Sequence, residues 1–376
     1  MTSSAQQISN TLQHKITQEI NNKGSISFAR FMEMALYHPG LGYYSAGLKK
    51  FGKEGDFITS PELGSLFAQS HAQLFQPVLE KHDDAVIFEL GAGMGSFCHD
   101  LLLALDKLDQ LPQAYWILEV SADLKHQQQQ KIAQLPNHLA DKVMWLDGLP
   151  EQPFNGVIFG NEVLDALPVE VFRYQNNEYH RLMLKNDNDL LSESWQPFSS
   201  ELAQQLNDKK LNLPNGYRSE FIPNLNQWLT SVTTQLQSGL IWWVDYGYGA
   251  PAYYHPQRNE GTLVCHQRHE ANFNPYQSVG LQDITAFVDF THVAECLSNL
   301  DCEVKGFGTQ ADVLMAAGID KLLQPEGDFV DYYQLASEMK QLMLPTEMGE
   351  KFKVLAATKN HKGDISGFEN NRLYDL

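Results

Sequence analysis

Apolar residues recur in two rhythms along this chain, and each rhythm predicts a type of element. Near the start, a spacing of four residues, typical of a helix with one apolar face, separates Ile8, Leu12, Ile16 and Ile20. Similar spacing over 28–36 predicts a second helix. A third is predicted from about Pro61 toward Leu79, with Ser60 as its N-cap and Glu62 in its first turn.

From residue 85 onward, short apolar runs alternate with helical patterns. Strands are predicted over 85–90, 115–120, 143–146 and 156–160, with helices over 96–108 and from Ser121 or Ala122 to about 134. This alternation predicts a parallel sheet covered by helices on both faces. A ligand of such a sheet is expected at the carboxyl ends of its strands.

Residues 169–227 interrupt this pattern with two alternating stretches, 169–174 and 179–184, which predict a hairpin within an insertion. The sheet is predicted to resume at 240–244, followed by a loop at 246–282, a helix near 291–299 and strands at 303–307 and 352–358. The predicted fold class is α/β: a doubly wound, mostly parallel, seven-stranded Rossmann-like sheet with an N-terminal helical segment and an inserted α+β region. The predicted division is an N-terminal helical segment and lid (1–83), a first core part (84–168), the insertion (169–227) and a second core part with a substrate-side loop at 246–290 (228–376).

The most informative local pattern is Glu89-x-Gly91-x-Gly93-x-Gly95, where a buried strand turns into a helix. Glycines there let a ligand approach bare backbone. The dinucleotide fingerprint G-x-G-x-x-G would need its third glycine at Ser96. E-x-G-x-G-x-G instead resembles the S-adenosylmethionine loop of doubly wound methyltransferases, and the absence of Lys between 89 and 96 fits a ligand without phosphate.

Further cofactor contacts are predicted at the tips of the neighbouring strands. Glu119 is placed to accept both hydroxyls of a ribose, and Asp147 to accept the adenine amino group. Glu89 is expected to orient the turn or to accept the amino group of the methionine part. Asn161 joins this predicted set, and Thr59 and Ser60 are candidates for a lid over the cofactor.

Carboxylates near the sheet's edge are the candidates for catalysis. Glu162 and Asp165 follow the fourth strand, and Asp245 follows the fifth. Methyl transfer needs the nucleophile held in line with the methyl group, and carboxylates here could align a cationic nitrogen such as a guanidinium. The alternatives left open are that Asn161 caps the turn while Asp165 is a surface acid, and that Asp245 is a turn acid.

Composition narrows the partners. The chain has 27 basic and 46 acidic residues, a formal charge of −19, which disfavours nucleic acid and suits a cationic substrate. The scattered cysteines, the polar amino-terminal sequence and the lack of a long apolar run predict a cytoplasmic protein without membrane insertion. No metal site is predicted, because no helix-based metal pattern fits the spacing of His255, His266, His269 and His292.

Five motifs in one order resemble the MidA-like family of S-adenosylmethionine-dependent methyltransferases, which includes the mitochondrial assembly factor for respiratory complex I. They are the segment 55–62, the glycine loop, the segment 161–168, the segment 244–248 and the segment 283–290. The resemblance spans about residues 25 to 360. It implies a protein-arginine methyltransferase that uses S-adenosylmethionine, with a respiratory complex subunit as one class of protein substrate.

Three functional hypotheses follow. The first is an enzyme that methylates an arginine of a protein partner, with Glu162 and Asp165 as an acidic clamp. The second is a methyltransferase acting on a small molecule or on another side chain. The third is an assembly factor that binds the cofactor, or none, without turnover, although a scaffold would not need the glycine loop and Glu119. The sequence makes no prediction about the oligomeric state.

Overall fold

The computed structural model describes residues 3–46, 59–188, 190–268, 270–323 and 329–376. Its α-helices are α1 (Ser3–Lys23), α2 (Phe28–Tyr37), α3 (Ser60–Leu63), α4 (Leu66–Leu79), α5 (Ser96–Lys107), α6 (Ala122–Ile132), α7 (Asn137–Ala140), α8 (Ser200–Asp208), α9 (Leu225–Thr233), α10 (Ala250–Tyr253), α11 (Phe290–Asn299), α12 (Gln310–Ala316) and α13 (Phe329–Met343). Its strands are β1 (Ile26–Ser27), β2 (Val86–Leu90), β3 (Ala114–Leu118), β4 (Val143–Leu146), β5 (Phe154–Asn161), β6 (Glu170–Gln175), β7 (Glu178–Asp187), β8 (Leu190–Pro197), β9 (Tyr217–Phe221), β10 (Leu236–Tyr248), β11 (Val264–Gln267), β12 (Glu270–Asn272), β13 (Asp283–Thr285), β14 (Val288–Asp289), β15 (Glu303–Thr309) and β16 (Phe352–Lys359). Short 3₁₀ helices span Ile319–Leu323 and Leu373–Asp375.

The chain divides into two compact units, each built from three separate segments. We name them the sheet unit (Ile58–Leu164, Leu225–Gly249 and Phe290–Leu376) and the insertion unit (Met1–Phe57, Asp165–Asn224 and Ala250–Asp289). This division differs from the one predicted from the sequence. The predicted border near residue 84 falls inside the sheet unit, and residues 1–57 group with the insertion.

The sheet unit contains a large mixed sheet with the strand order β15-β16-β10-β5-β2-β3-β4. The pairs β3·β4, β2·β3, β2·β5 and β5·β10 are parallel, and β16 is antiparallel to both of its neighbours. The long apolar runs suit central strands that are buried on both faces. In this order β2 and β5 are neighbours, so their carboxyl ends meet at one edge of the sheet.

Helices pack against both faces of this sheet. Trp242 and Trp243 are consecutive on β10 and therefore point to opposite faces. The ring of Phe75 on α4 lies 5.8 Å from that of Trp242, and the ring of Trp228 on α9 lies 5.5 Å from that of Trp243. Both indoles are buried under helices. The continuous apolar runs that predicted strands therefore also account for helices on both faces of the sheet.

The insertion unit joins the N-terminal helices to an antiparallel sheet. Strand β1 pairs with β7, so that Ile26 lies opposite Leu184, and β6 to β9 continue the same sheet. The apolar stripe of α1 is buried in one core with residues of these strands, including Leu12, Ile16, Val171 and Leu182. The predicted loop at 246–282 contains part of a second sheet, in the order β12-β11-β13.

The predicted helix from Pro61 to Leu79 is wrong as a single element, because the structure has α3 and α4 with Gly64 between them. Thr59 occupies the N-cap position instead of Ser60, which is the first helical residue. Helix α4 begins again at Leu66, whose N–H donates to Glu338 Oε1 at 2.6 Å. A carboxylate from 272 residues away therefore caps this helix, which no local pattern could show.

Across the described ranges, none of the helices combines the length and the apolar character that crossing a bilayer would require.

Candidate active site

The loop between β2 and α5 turns the chain through three left-handed residues. Gly91, Gly93 and Gly95 have φ values of +66°, +53° and +81°. An L side chain at such angles costs roughly 1–2 kcal/mol, so glycine is favoured at all three positions. The backbone N–H of Gly91 donates to the carbonyl of Leu118 at 3.1 Å, which holds the loop against the end of β3.

The three glycines have different surroundings. A Cβ at Gly91 would lie 3.4 Å from Val163, and one at Gly95 would lie 3.3 Å from Gln128. A Cβ at Gly93 would meet no atom of the described residues within 4 Å. The middle of the loop thus presents bare backbone on an open side, as a nucleoside cofactor requires, so these residues fit S-adenosylmethionine.

Glu89 lies at the end of β2 and is 3% exposed. Burial raises the pKa of its carboxyl to about 8, the hydrogen bond from Tyr115 opposes that rise, and the charge of Glu119 adds to it. Tyr115 Oη donates to Glu89 Oε2 at 2.8 Å. Glu89 is therefore largely protonated at neutral pH, and a cationic group beside it would favour its ionised form.

Glu119 follows β3 and is half-buried beside the glycine loop. Its Oε1 accepts from the backbone N–H of Ser121 at 2.8 Å, and its Oε2 accepts from Gln128 Nε2 at 2.9 Å. Each carboxylate oxygen can accept two hydrogen bonds. The geometry suits the predicted contact with two ribose hydroxyls, which stays a prediction.

Three other predicted cofactor residues have contacts of their own. Asp147 is 97% exposed at its side chain, and its carboxylate lies 3.2 Å from Lys125 Nζ. Ser60 is fully buried and its hydroxyl donates to Gln310 Oε1 at 3.2 Å, while the side chain of Thr59 makes no capping bond. Their cofactor roles stay predictions. Residues 55–58 of the same motif lie outside the described residues.

The end of β5 brings Asn161 and Glu162 beside the glycine loop. Gly160 is the sheet partner of Leu90, so Asn161 follows at the level of Gly91. Asn161 Nδ2 donates to Glu162 Oε1 at 2.9 Å, and Asn161 Oδ1 is buried without a hydrogen-bond donor among the described residues. Glu162 has φ of +55°, a left-handed backbone that is rare for a residue with a side chain.

Asp245 holds the turn that carries Glu162. Its Oδ2 accepts from the N–H groups of Val163 at 3.2 Å and Leu164 at 2.8 Å, and its Oδ1 accepts from that of Tyr246 at 2.8 Å. The side chain is 1% exposed. Asp245, rather than Asn161, therefore binds the N–H groups of Val163 and Leu164 in the turn after β5, which supports the turn-acid alternative for Asp245.

Asp165 is the first residue of the second segment of the insertion unit. Asp165 is 4% exposed, so the surface-acid alternative is wrong. Its backbone carbonyl accepts from the N–H of Ala286 at 3.0 Å. Burial raises the pKa of Tyr44 well above its usual range, and the carboxylates of Asp283 and Asp165 add to that rise. Asp165 is thus a buried acid whose charge acts on Tyr44 of its own unit.

Sequence reasoning missed Gln128, which lies on α6 and is fully buried. Its amide contacts Gly93, Glu119 and Trp145. The residue stands in a run of four glutamines, so its type attracts no notice. The usable signal was its spacing, because it lies four residues after Leu124 and four before Ile132 on the buried stripe of the helix.

Within the described ranges, no group of three or more His, Cys, Asp or Glu side chains is arranged to hold a metal ion. His269 lies outside the described residues.

Comparison with known proteins decides the family. The profile of the family described as "Putative S-adenosyl-L-methionine-dependent methyltransferase" matches residues 63–308. The chain belongs to this family. A crystal structure of a Burkholderia thailandensis protein bound to S-adenosyl-homocysteine superposes on this methyltransferase with a TM-score of 0.94 and 35% identity, covering 100% of this chain and 99% of that one.

Curated relatives are more distant. The protein arginine methyltransferase NDUFAF7 homolog, mitochondrial, of Caenorhabditis elegans is 27% identical and that of Drosophila melanogaster 26%. Each alignment covers 92% of this chain, with 86% and 84% of the relatives. The predictions of an S-adenosylmethionine-dependent methyltransferase and of its cofactor are confirmed. The names of these relatives place those proteins in mitochondria, so they lend no support to the cytoplasmic prediction.

Proposed function

We propose that this methyltransferase transfers the methyl group of S-adenosylmethionine to an arginine side chain of a protein, with Glu162 holding the guanidinium. The names of the curated relatives support the choice of arginine and of a protein. The resemblance to the family of the complex I assembly factor makes a subunit of a respiratory complex the proposed class of substrate. The sheet, with helices on both faces, is proposed to be of the doubly wound type.

The left-handed backbone of Glu162 is the observation that carries this proposal. A residue with a side chain in that region costs about 1–3 kcal/mol, and such residues cluster at functional sites. The surroundings hold the strained conformation: the N–H of Glu162 donates to the carbonyl of Val244 at 2.9 Å, and Asp245 binds the next two N–H groups. This conformation fixes the direction in which the carboxylate leaves the end of β5.

The chemistry of a guanidinium explains why an acid is needed there. Its pKa exceeds about 12, so it is protonated, and its N–H groups match the geometry of a carboxylate. Glu162 would align the guanidinium and favour the loss of its proton as a nitrogen attacks. Asn161 Oδ1, buried without a donor among the described residues, would accept a second N–H. The cofactor supplies an electrophilic methyl carbon on a positively charged sulfur.

Asp165 remains the second proposed acid of the clamp. It follows Glu162 by three residues in the chain, is buried, and its charge acts on Tyr44 of the insertion unit. Its carboxylate adds a negative charge that suits a cationic substrate in a protein of net charge −19. Asp165→Asn is therefore expected to raise the KM for the protein substrate more than that for the cofactor.

The test uses the purified protein, S-adenosylmethionine labelled in its methyl group, and a lysate of the host cell. We expect label on an arginine of a protein after peptide mapping. Glu162→Gln should abolish most of this labelling. Cofactor affinity measured by calorimetry should stay within about threefold, because Glu162 is proposed to contact the substrate and not the cofactor. The matched control is Glu151→Gln at an exposed position.

Three outcomes would contradict parts of this proposal. Label that passes through a dialysis membrane would show a small-molecule substrate. Label on lysine, histidine or a backbone amine would exclude arginine. Full turnover in the Glu162→Gln variant would remove Glu162 from its proposed role while leaving the reaction itself in place.

A further inference from the structure

The amide of Gln128 joins two parts of the cofactor site that are distant in sequence. Gln128 Nε2 donates to the carbonyl of Gly93 and to Glu119 Oε2, both at 2.9 Å. Gln128 Oε1 accepts from Trp145 Nε1, also at 2.9 Å. An indole N–H can only donate, so Trp145 fixes the amide with its oxygen toward the indole and its two N–H groups toward the site.

The contact with Glu119 is the one with consequences for binding. The N–H of Ser121 holds one oxygen of that carboxylate and Gln128 holds the other. Because each oxygen has a donor, the plane of the carboxylate is set before any ligand arrives. A carboxylate oriented in advance binds two adjacent hydroxyls with less loss of side-chain entropy.

Helix α6 also supports the glycine loop through close packing. The nearest atoms to a Cβ built on Gly95 would be Cα and Cγ of Gln128 at 3.3 Å. One turn further along the helix, Lys131 Nζ donates to Ser96 Oγ at 2.6 Å. The third glycine of the loop thus permits this approach of α6, in addition to allowing a left-handed backbone.

We propose that Gln128 is a positioning residue that sets the Glu119 carboxylate for the ribose hydroxyls of the cofactor and ties it to the glycine loop. The inference deepens the methyltransferase function and rests on the predicted contact between Glu119 and the ribose. It assigns Gln128 no contact with the reacting atoms. Its loss should therefore affect the recognition of the ribose and leave the chemical step intact.

The test compares two ligands, S-adenosyl-homocysteine and its 2′-deoxy analogue, by calorimetry. Gln128→Met keeps the length of the side chain and removes both N–H groups. We expect about tenfold weaker binding of S-adenosyl-homocysteine by this variant, the usual scale for a lost hydrogen bond to a charged group. Binding of the 2′-deoxy analogue should change by less than about threefold, and kcat at saturating S-adenosylmethionine should likewise stay within about threefold.

If Gln128 had a purely structural role, the variant would bind both ligands more weakly by the same factor, and that result would overturn the proposal. Gln129→Met is the matched control, because Gln129 is the next residue on α6 and is exposed. Trp145→Phe removes the N–H that orients the amide and should weaken only S-adenosyl-homocysteine, to a smaller extent. It also serves as the second variant if thermal unfolding shows that Gln128→Met does not fold.

Glu119→Gln separates this proposal from the proposed arginine substrate. We expect this variant to lose the preference for the ribose over the deoxyribose. A preference that survives unchanged would overturn the role of Glu119, and the role of Gln128 with it. The labelling experiment with Glu162→Gln does not depend on that result, so the two proposals can fail independently.

Discussion

The carboxylate of Asp245, three residues before the end of β10, accepts a hydrogen bond of 2.8 Å from the backbone N–H of Leu164. Leu164 lies in the turn after β5, two residues beyond Glu162, so one strand of the sheet holds the turn of its neighbour. The strained conformation of Glu162 depends on this contact and on the bond of its own N–H to Val244. The sequence pattern places Asp245 just after a predicted strand and suggests catalysis, whereas in the structure it lies within β10 and binds backbone N–H groups.

Asp245→Asn should lower kcat by about tenfold or more and leave cofactor affinity nearly unchanged, because the turn that carries Glu162 loses its clamp. The side-chain oxygen of asparagine can still accept from the N–H of Leu164. Its NH₂ group, however, would face the N–H of Tyr246, so that two donors oppose each other. Steady-state kinetics and calorimetry would measure the two effects. A positioning role predicts an unchanged pH profile of kcat. A changed pH dependence of kcat in the variant would instead indicate that Asp245 takes part in proton transfer.

Cofactor affinity should rise with pH below about 8. The pKa of Glu89 is about 8 in the protein, so at lower pH a proton must leave before the carboxylate can meet the ammonium group of the cofactor. From this linkage we expect binding about tenfold tighter at pH 8 than at pH 6.5, with uptake of a proton by the buffer. Calorimetry in buffers of different ionisation enthalpy would detect that proton.

Glu89→Gln should abolish this pH dependence, whereas Glu151→Gln at an exposed position should keep it. Affinity that is constant between pH 6.5 and pH 8 in the parent protein would show that Glu89 does not change its ionisation on binding.

Alanine at two positions of the glycine loop should have different effects. Gly93→Ala should cost about 1 kcal/mol of unfolding free energy from its backbone angle alone. It should also weaken cofactor binding, because its new methyl group contacts none of the residues that the structure describes and faces the open side. Gly95→Ala should cost more stability, since its methyl group also presses on Gln128. Urea unfolding with and without S-adenosylmethionine would separate the two effects.

Gly24→Ala is the matched control, because Gly24 has a φ of +81° and, in the part of the chain that the structure describes, no atom lies within 4 Å of its added Cβ. It should show the backbone cost without any change in cofactor affinity. An equal loss of cofactor affinity in Gly24→Ala and Gly93→Ala would show that the glycine loop has no specific role in binding the cofactor.

The protein should lose stability in mild acid because of His71. The ring is buried among Phe67, Phe75, Phe97 and Trp242, and burial lowers its pKa from 6.5 to about 4. Below pH 6.5 the unfolded chain takes up a proton at this position that the folded protein does not, so stability falls as the pH drops toward 4. The expected loss is about 2 kcal/mol between pH 7 and pH 5.

His71→Leu should remove that part of the pH dependence in urea titrations at pH 5 and pH 7, whereas His14→Gln, at an exposed position of α1, should keep it. A variant with the same difference in stability between the two pH values as the parent would show that other groups cause the acid effect.

The local sequence was sufficient for the core of the cofactor site. Gly91, Gly93 and Gly95 have left-handed backbone angles, and glycine itself marks such positions in a sequence. Glu119 follows a strand whose apolar run is visible in the sequence. The alternation of strands and helices likewise depends on nearby residues, and the predicted bounds of β2 to β5 agree with the structure within about two residues.

Tertiary structure alone decided which side chains complete that site. Gln128 is significant because α6 brings it to Gly93, 35 residues away, and Asp245 because β10 lies beside β5, 81 residues from Leu164. Burial and hydrogen bonding between such segments depend on how strands are ordered in the sheet, and no local pattern records that order. For the same reason the grouping of residues 1–57 with the insertion followed from tertiary contacts, such as the pairing of Ile26 with Leu184 and the core that α1 shares with β6 and β7.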